Sequence, residues 1–198
     1  MKLSEIATVT SGPLLSRYSK EKNQAKPAVG KIDVITPRCI IGNGYVNLNE
    51  VGHDETVREI PEEFLSRKGD IILQLSRPYS SALIEDEEGL LYPSYLVSIR
   101  CNDEDDRLYL LSYFHTGHFL ENLDRNTSSS LRSLLSINAM KNLEIPYPEK
   151  ETRMELGRRF YKAVKTMKLA DEIFSLETVL IDRNIRNMGI DEEETDAE

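Results

Sequence analysis

Residues 143–148 read Leu143-Glu144-Ile145-Pro146-Tyr147-Pro148, and residues 149–188 continue as EKETRMELGRRFYKAVKTMKLADEIFSLETVLIDRNIRNM. The two prolines force an extended exit, because each disfavours helix in the residue before it. The stretch after them holds no proline, and Gly157 is its only glycine. As one helix it would span about 60 Å at a rise of 1.5 Å per residue. Its apolar residues fall in alternating steps of four and three: Phe160, Val164, Met167, Phe174, Ile181, Ile185 and Met188, with Asp171 and Thr178 inside the same frame. This is a coiled-coil seam with two polar interruptions, which lower stability but fix register and partner. A helix of this length outreaches a domain of ~150 residues. It is therefore expected to pair with another helix, the alternative being that it folds back along its own domain. The chain divides into a domain at 1–148, a long dimerising or spacer helix at 149–189 and an acidic tail at 190–198, expected to be disordered.

Upstream of Pro148, short β-rich runs alternate with turns. Ile32-Asp33-Val34-Ile35 reads as a strand, Gly42-Asn43-Gly44 as a turn, and Tyr45-Val46-Asn47-Leu48 resumes the alternation. Lys68-Gly69-Asp70 is a second turn before the buried strand Ile71–Leu75. Leu83-Ile84 and Leu90-Leu91-Tyr92 flank the acidic run Glu85-Asp86-Glu87-Glu88, which predicts a hairpin with a charged tip. Tyr95–Ile99 is the strongest strand. Leu108–Leu123 has helical spacing, and Ser136 is placed to cap a short helix running to Leu143. The fold class is α+β, with a curved mixed or antiparallel sheet and peripheral helices.

The chain has 198 residues and a formal net charge of -9. Its 39% hydrophobic content suffices for a core. No apolar run nears the roughly 20 residues that span a bilayer, and the start lacks the pattern of a signal peptide, so a cytoplasmic protein is expected. Cys39 and Cys101 form no C-x-x-C pair and read as reduced thiols. An acidic total argues against loose, whole-surface binding to nucleic acid. The distribution differs: Ser11–Arg38 carries six bases against two acids, a local +4, while Asp191–Glu198 carries six acids and no base. A locally basic face on an acidic chain is compatible with a DNA partner.

The order of the pieces resembles the repeating half of type I restriction-modification specificity subunits. The opening Lys2–Gly12, ending in Ser11-Gly12, is similar to that family's amphipathic start. Gly69-Asp70-Ile71-Ile72-Leu73 is similar to its glycine-aspartate lead into a strand, and Tyr109–Phe114 to the helix that follows. Thr127–Leu135 resembles its small-residue loop, and Leu143–Pro148 its exit to the long helix. The likeness covers about residues 2–188. Two departures stand out. Glu149–Arg153 lacks the glutamine usual near the helix start, and full subunits carry two recognition domains and two helices where this chain has one of each.

The resemblance implies a protein without catalysis or cofactor of its own, a DNA target-recognition domain reading one half-site of double-stranded DNA. Its partners would be the methyltransferase and restriction subunits of a type I system, and itself or another half subunit through the long helix, with Phe160, Val164, Met167, Phe174, Ile181, Ile185 and Met188 as the contact. Base reading needs donors and acceptors on loops at a sheet edge, with cations for phosphates. Three clusters supply them: Ser16, Arg17, Tyr18, Lys20, Lys22 and Lys26 after Gly12-Pro13; Arg77, Tyr79 and Ser80 after a strand end; and Arg125, Asn126, Thr127, Ser128, Ser129, Ser130 and Arg132. Taken residue by residue each cluster reads as a solvated loop, and it is the clustering that supports a DNA contact.

Other chemistries find less support. His115 and His118 share a helical face, but zinc needs three or four ligands and only His53 remains. Asp103–Asp106 reads as a solvated turn rather than a nuclease centre. There is no P-loop and no G-x-G-x-x-G. The competing function is a coiled-coil interaction protein whose recognition-like domain no longer binds DNA, which the acidic total favours and the basic Ser11–Arg38 stretch opposes.

Overall fold

The computed structural model describes residues 1–40, 42–126 and 135–195. A single helical turn, α1 (Leu3–Ile6), leads into β1 (Ala7–Ser11); then come β2 (Gly30–Val34), β3 (Gly44–Tyr45), β4 (Gly52–Thr56), β5 (Ile71–Gln74), β6 (Ser81–Leu83) and β7 (Leu96–Cys101). The helices α2 (Glu104–Phe114), α3 (Gly117–Asn126), α4 (Ile137–Lys141) and α5 (Lys150–Thr195) follow. Five strands form one sheet in the order β1-β7-β5-β6-β3, antiparallel except for the parallel β3–β6 pair. β2 and β4 form a separate antiparallel ribbon. The architecture is α+β with a mixed sheet and a long C-terminal helix.

The sheet is buried on both faces, which is why β5 is an unbroken apolar run rather than an alternating one. Ile71 and Leu73 point into a core shared with Leu3, Val9, Val97, Ile99 and helices α2 and α3. Ile72, between them, points the other way, into a cluster with Ile35, Ile40, Ala82, Ile84, Tyr92 and Leu96. The extended exit before α5 is tied to the chain start: Leu3 N donates to Leu143 O at 2.9 Å, and Ile145 N to Met1 O at 2.7 Å.

Three local expectations are corrected. The Leu83/Leu91 hairpin does not form. β6 pairs with β5 and β3, and Leu91 bridges Val34 and Leu65. The helical pattern Leu108–Leu123 is two helices, because the Thr116 hydroxyl accepts from Phe119 N at 3.2 Å and starts α3 afresh. Phe114 and Phe119 then meet edge-on across the corner, 5.1 Å between centroids. The long helix continues to Thr195, past the expected end at 189. A glycine at 189 costs a helix only about 1 kcal/mol, and the glutamates after it are good helix formers. Ser136 caps α4 as read, accepting from Ala139 N at 3.1 Å.

α5 divides into a docked half and a free half. Arg153 donates to Asp106 at 2.8 Å and lies 3.9 Å over the Tyr147 ring, which fixes the helix as it leaves Pro148. One turn on, Gly157 is buried against α2. Phe160 packs on the domain core and stacks with His115 at 4.9 Å, and Val164 is buried beside Gly44. Phe160 and Val164 are thus intramolecular contacts, not exposed seam positions as the sequence suggested. From Asp171 to Met188 every residue is exposed.

Candidate nucleic-acid interface

The register of the sheet starts two of the loop segments at one end. β1 finishes with Ser11 opposite Val97, and β5 finishes with Gln74 opposite Leu96, both at the start of β7. Chain segments after Ser11 and after Gln74 therefore leave from the same end. Leu135 N donates to Leu75 O at 2.7 Å, so the chain re-emerging after residue 134 returns there as well. α3 joins them through Asp124, which accepts from Arg77 at 2.7 Å. Gly12 permits the turn out of β1, since a Cβ there would stand 1.8 Å from the Tyr92 carbonyl oxygen.

Within the first cluster the residues separate by role. Ser16 and Arg17 lie on the exposed 3-10 turn Leu15–Arg17. Lys22 and Lys26 are exposed, Lys22 beside Glu21 at 3.5 Å. Tyr18, expected to contact DNA, is instead 8% exposed, with the Arg58 guanidinium 5.0 Å above its ring. Lys20 is a clip within the loop, its ammonium donating to the carbonyls of Gln24 at 2.6 Å and Lys26 at 2.5 Å. Arg58 escaped the sequence reading. It donates to the Arg17 carbonyl from 41 residues away, at 2.7 Å, and no local pattern announces such a contact.

In the second cluster Arg77 is exposed, 6.0 Å from the Tyr79 ring. Tyr79 has φ 59°, a left-handed backbone that costs a non-glycine residue about 1–2 kcal/mol. Such strain concentrates where a loop must present a side chain in one orientation. Ser80 accepts from Gln74 N through its carbonyl at 2.9 Å, which leaves its hydroxyl out of the ladder. In the third cluster Arg125 is exposed and weakly paired with Glu121 at 3.5 Å. The Asn126 side chain, Thr127, Ser128, Ser129, Ser130 and Arg132 lie outside the described residues. Among the described residues no three histidine, cysteine or acidic side chains are grouped to hold a metal ion.

The opposite end of the sheet carries the helix anchorage. Glu85 accepts from Tyr161 and from Lys165 at 3.2 Å, and Glu87 accepts from Lys168 at 3.1 Å. Burial pushes the Glu85 carboxyl up, but the hydrogen bonds from Tyr161 and Lys165 outweigh it and hold its pKa below the ordinary value. Burial likewise pulls the Lys168 ammonium down, and its bond to Glu87 and the two carboxylate charges more than reverse this. The Tyr161 phenol is pushed up to about 12 by burial and by Glu85. Burial lowers the pKa of His115, whose Nε2 lies 3.1 Å from the Ser81 carbonyl oxygen.

The free half of α5 exposes two apolar stripes. Met167, Phe174, Ile181, Ile185 and Met188 continue the row of Phe160 and Val164, which has already turned to solvent at Met167, 48% exposed. Leu169, Ile173, Leu176 and Leu180, spaced four, three and four, lie on the far side of the helix. The second stripe was legible in the sequence as a second heptad frame, but was hidden behind the first. No helix among the described residues is long and apolar enough to cross a membrane.

No protein-family model and no curated protein matches the chain. Solved structures do. A chain of a type I restriction-modification system, solved to explain complex assembly and conformational transition, is 18% identical with a TM-score of 0.59 over 89% of this chain. The HsdS subunit from Thermoanaerobacter tengcongensis is 18% identical, with a TM-score of 0.54 over 86%. The type I S subunit from M. genitalium is 17% identical, with a TM-score of 0.53 over 92%. The fold is therefore one shared with type I restriction-modification specificity subunits, over 86–92% of this chain. The chain spans 39–43% of the length of those it matches.

Proposed function

We propose that this chain is a non-catalytic DNA-specificity module. It reads one half-site with the loops at one end of its sheet and uses its long helix to join a second copy and an adenine methyltransferase, with a restriction subunit in the full system. The departure of the loops after Ser11 and after Gln74 from one sheet end, where Arg77 meets Asp124 of α3, opposite the helix anchorage, carries this reading. Exposed Arg17, Lys22, Lys26, Arg77 and Arg125 serve as the cations, with Ser16, Tyr79, Ser80 and the hydroxyl-rich segment after Asn126 as neighbouring donors and acceptors. Tyr18 and Lys20 support the loop from within. Exposed apolar surface on both sides of the free helix supports protein partners on it. Two-fold pairing through Phe174, Ile181, Ile185 and Met188 would give a palindromic, bipartite target with a fixed spacer.

The test is co-expression with methyltransferase subunits of the same genome, followed by genome-wide mapping of methylated adenines. A symmetric split motif that is lost in Arg77→Ala or Arg17→Ala is the expected result. A stable complex that methylates nothing would favour the interaction-protein reading, which the net charge of -9 already supports.

A further inference from the structure

The acidic run 85–88 has a role that the loop clusters do not explain. Glu87 is a charged side chain only 3% exposed. One of its carboxylate oxygens accepts from the backbone amides of Glu85 at 2.9 Å and Asp86 at 3.1 Å. The other is aimed at Lys168. A carboxylate held rigid by its own loop, with its second oxygen turned to a helix 81 residues away, is built to receive that helix. Three residues after Lys168, Asp171 accepts from Tyr45 and, at 3.4 Å, from Asn43. Beyond Asp171 every residue of α5 through Met188 is exposed, and Phe174 and Leu176 face Tyr45 and Leu48 only across an open cleft.

We infer that Glu87–Lys168 and Tyr45–Asp171 are the positioning contacts that fix the angle of the free half of α5, and with it the spacing between half-sites. The inference rests on the proposed function. The free arm, residues 172–195, is about 36 Å long. Play of about 5° at its root swings the far end by about 3 Å, close to the 3.4 Å rise of one base pair. Upstream packing at Gly157, Phe160 and Val164 sets the helix axis on the domain, and the two later contacts limit how far the arm bends from that axis. Lys165 and Lys168 reach the run from successive turns, so losing one weakens the restraint without releasing the helix.

Spin labels on cysteines introduced at Glu121 and Asn184 of the full chain, diluted with unlabelled protein, report the arm directly; Cys39 and Cys101 are buried. A narrow distance distribution is expected for the unaltered chain, and for Lys168→Arg. At least a twofold broader one is expected for Glu87→Gln/Lys168→Met, in which both charges leave together and no buried charge is stranded. Equal widths overturn the inference, whatever the protein's function. In the methylation experiment the unaltered chain should give one spacer length. The double variant should add spacers one base pair shorter or longer, with the half-site bases unchanged. A single unchanged spacer in the double variant overturns the role in spacing. No methylation by the unaltered chain counts against the proposed function and leaves the distance measurement to decide the clamp.

Discussion

Gly157 and Tyr109 meet backbone to backbone: a Cβ on the glycine would stand 2.7 Å from the Tyr109 amide nitrogen and 2.8 Å from the Leu108 carbonyl carbon. Two effects of opposite sign act at this position. Alanine is better than glycine inside a helix by about 1 kcal/mol, while forcing extra atoms into a packed contact costs about 1–3 kcal/mol. Neither neighbour is a side chain that can swing away, so the contact wins. Gly157→Ala should lower the urea midpoint, and Gly157→Val should lower it further. A raised midpoint for the alanine variant would show that α2 and α5 are not seated this closely.

Asp106 gathers the root of the long helix. It accepts from Arg153 at 2.8 Å and from the Tyr147 hydroxyl at 2.9 Å, and the pair is only 12% and 15% exposed. Asp106→Ala strands a largely buried guanidinium and should cost about 3 kcal/mol. Arg153→Met added to it removes the stranded charge and should recover part of that loss. A double-mutant cycle in urea measures the coupling, and additive losses would argue against the network.

Acid should loosen the junction between helix and domain in two windows. His115 has a folded pKa below its ordinary value because burial disfavours its charged form, so the unfolded chain binds its proton first. Its contribution is present above the ordinary histidine value of 6.5 and is lost as the pH falls from there through the folded pKa. Glu85, also depressed, contributes above 4.5 and loses its contribution as the pH falls through its folded pKa. Urea midpoints between pH 8 and 3 should therefore fall in two steps. His115→Gln should flatten the upper step and Glu85→Gln the lower; an unaltered upper step in His115→Gln would place the titrating group elsewhere.

The long helix was legible because its pattern is local: no proline, a seam in steps of four and three, and a Pro146-x-Pro148 border. The strands β5 and β7 were legible for the same reason. What the sequence did not disclose is long-range. Leu91 and Leu83 flank a charged run as hairpin strands would, yet Leu91 finds its partners at Val34 and Leu65. The acidic run is a receptor for lysines about 80 residues away rather than a solvated tip. Lys20 and Tyr18 have the residue types of a DNA contact, and only the fold shows that carbonyls and a stacked arginine already occupy them. Phe160 and Val164 obey the seam as faithfully as Phe174 does. Period alone cannot say where the domain surface ends beneath one continuous stripe.

The loop cations should separate by substitution. Arg17, Lys22 and Lys26 are exposed, and as phosphate contacts each alanine variant should weaken DNA binding evenly across sequences and reduce the salt slope by about 0.9. Arg77 is held between Asp124 and Tyr79; if it reads a base edge, Arg77→Ala should cost about 1–3 kcal/mol and relax one position of the motif. Fluorescence anisotropy on the methyltransferase complex at several salt concentrations distinguishes the two. A uniform loss with a reduced slope for Arg77→Ala would reassign it to the phosphate backbone.

The two stripes on the free half of α5 should part company in the same way. Phe174 and Ile181 are 73% and 56% exposed and continue the row of Phe160 and Val164. If a second copy packs there, Phe174→Ser/Ile181→Ser removes two buried apolar side chains from each helix, at about 1.5–3 kcal/mol for each side chain. The dimer should then dissociate at least 100-fold more readily by sedimentation equilibrium. Leu176→Ser/Leu180→Ser, on the opposite side, should leave self-association intact and weaken capture of the methyltransferase subunit. Neither pair supports the docked half of the helix, so both variants should keep the thermal midpoint of the domain. Loss of self-association in the Leu176/Leu180 variant, with none in the Phe174/Ile181 variant, would reverse the two assignments and move the two-fold axis to the far side of the helix.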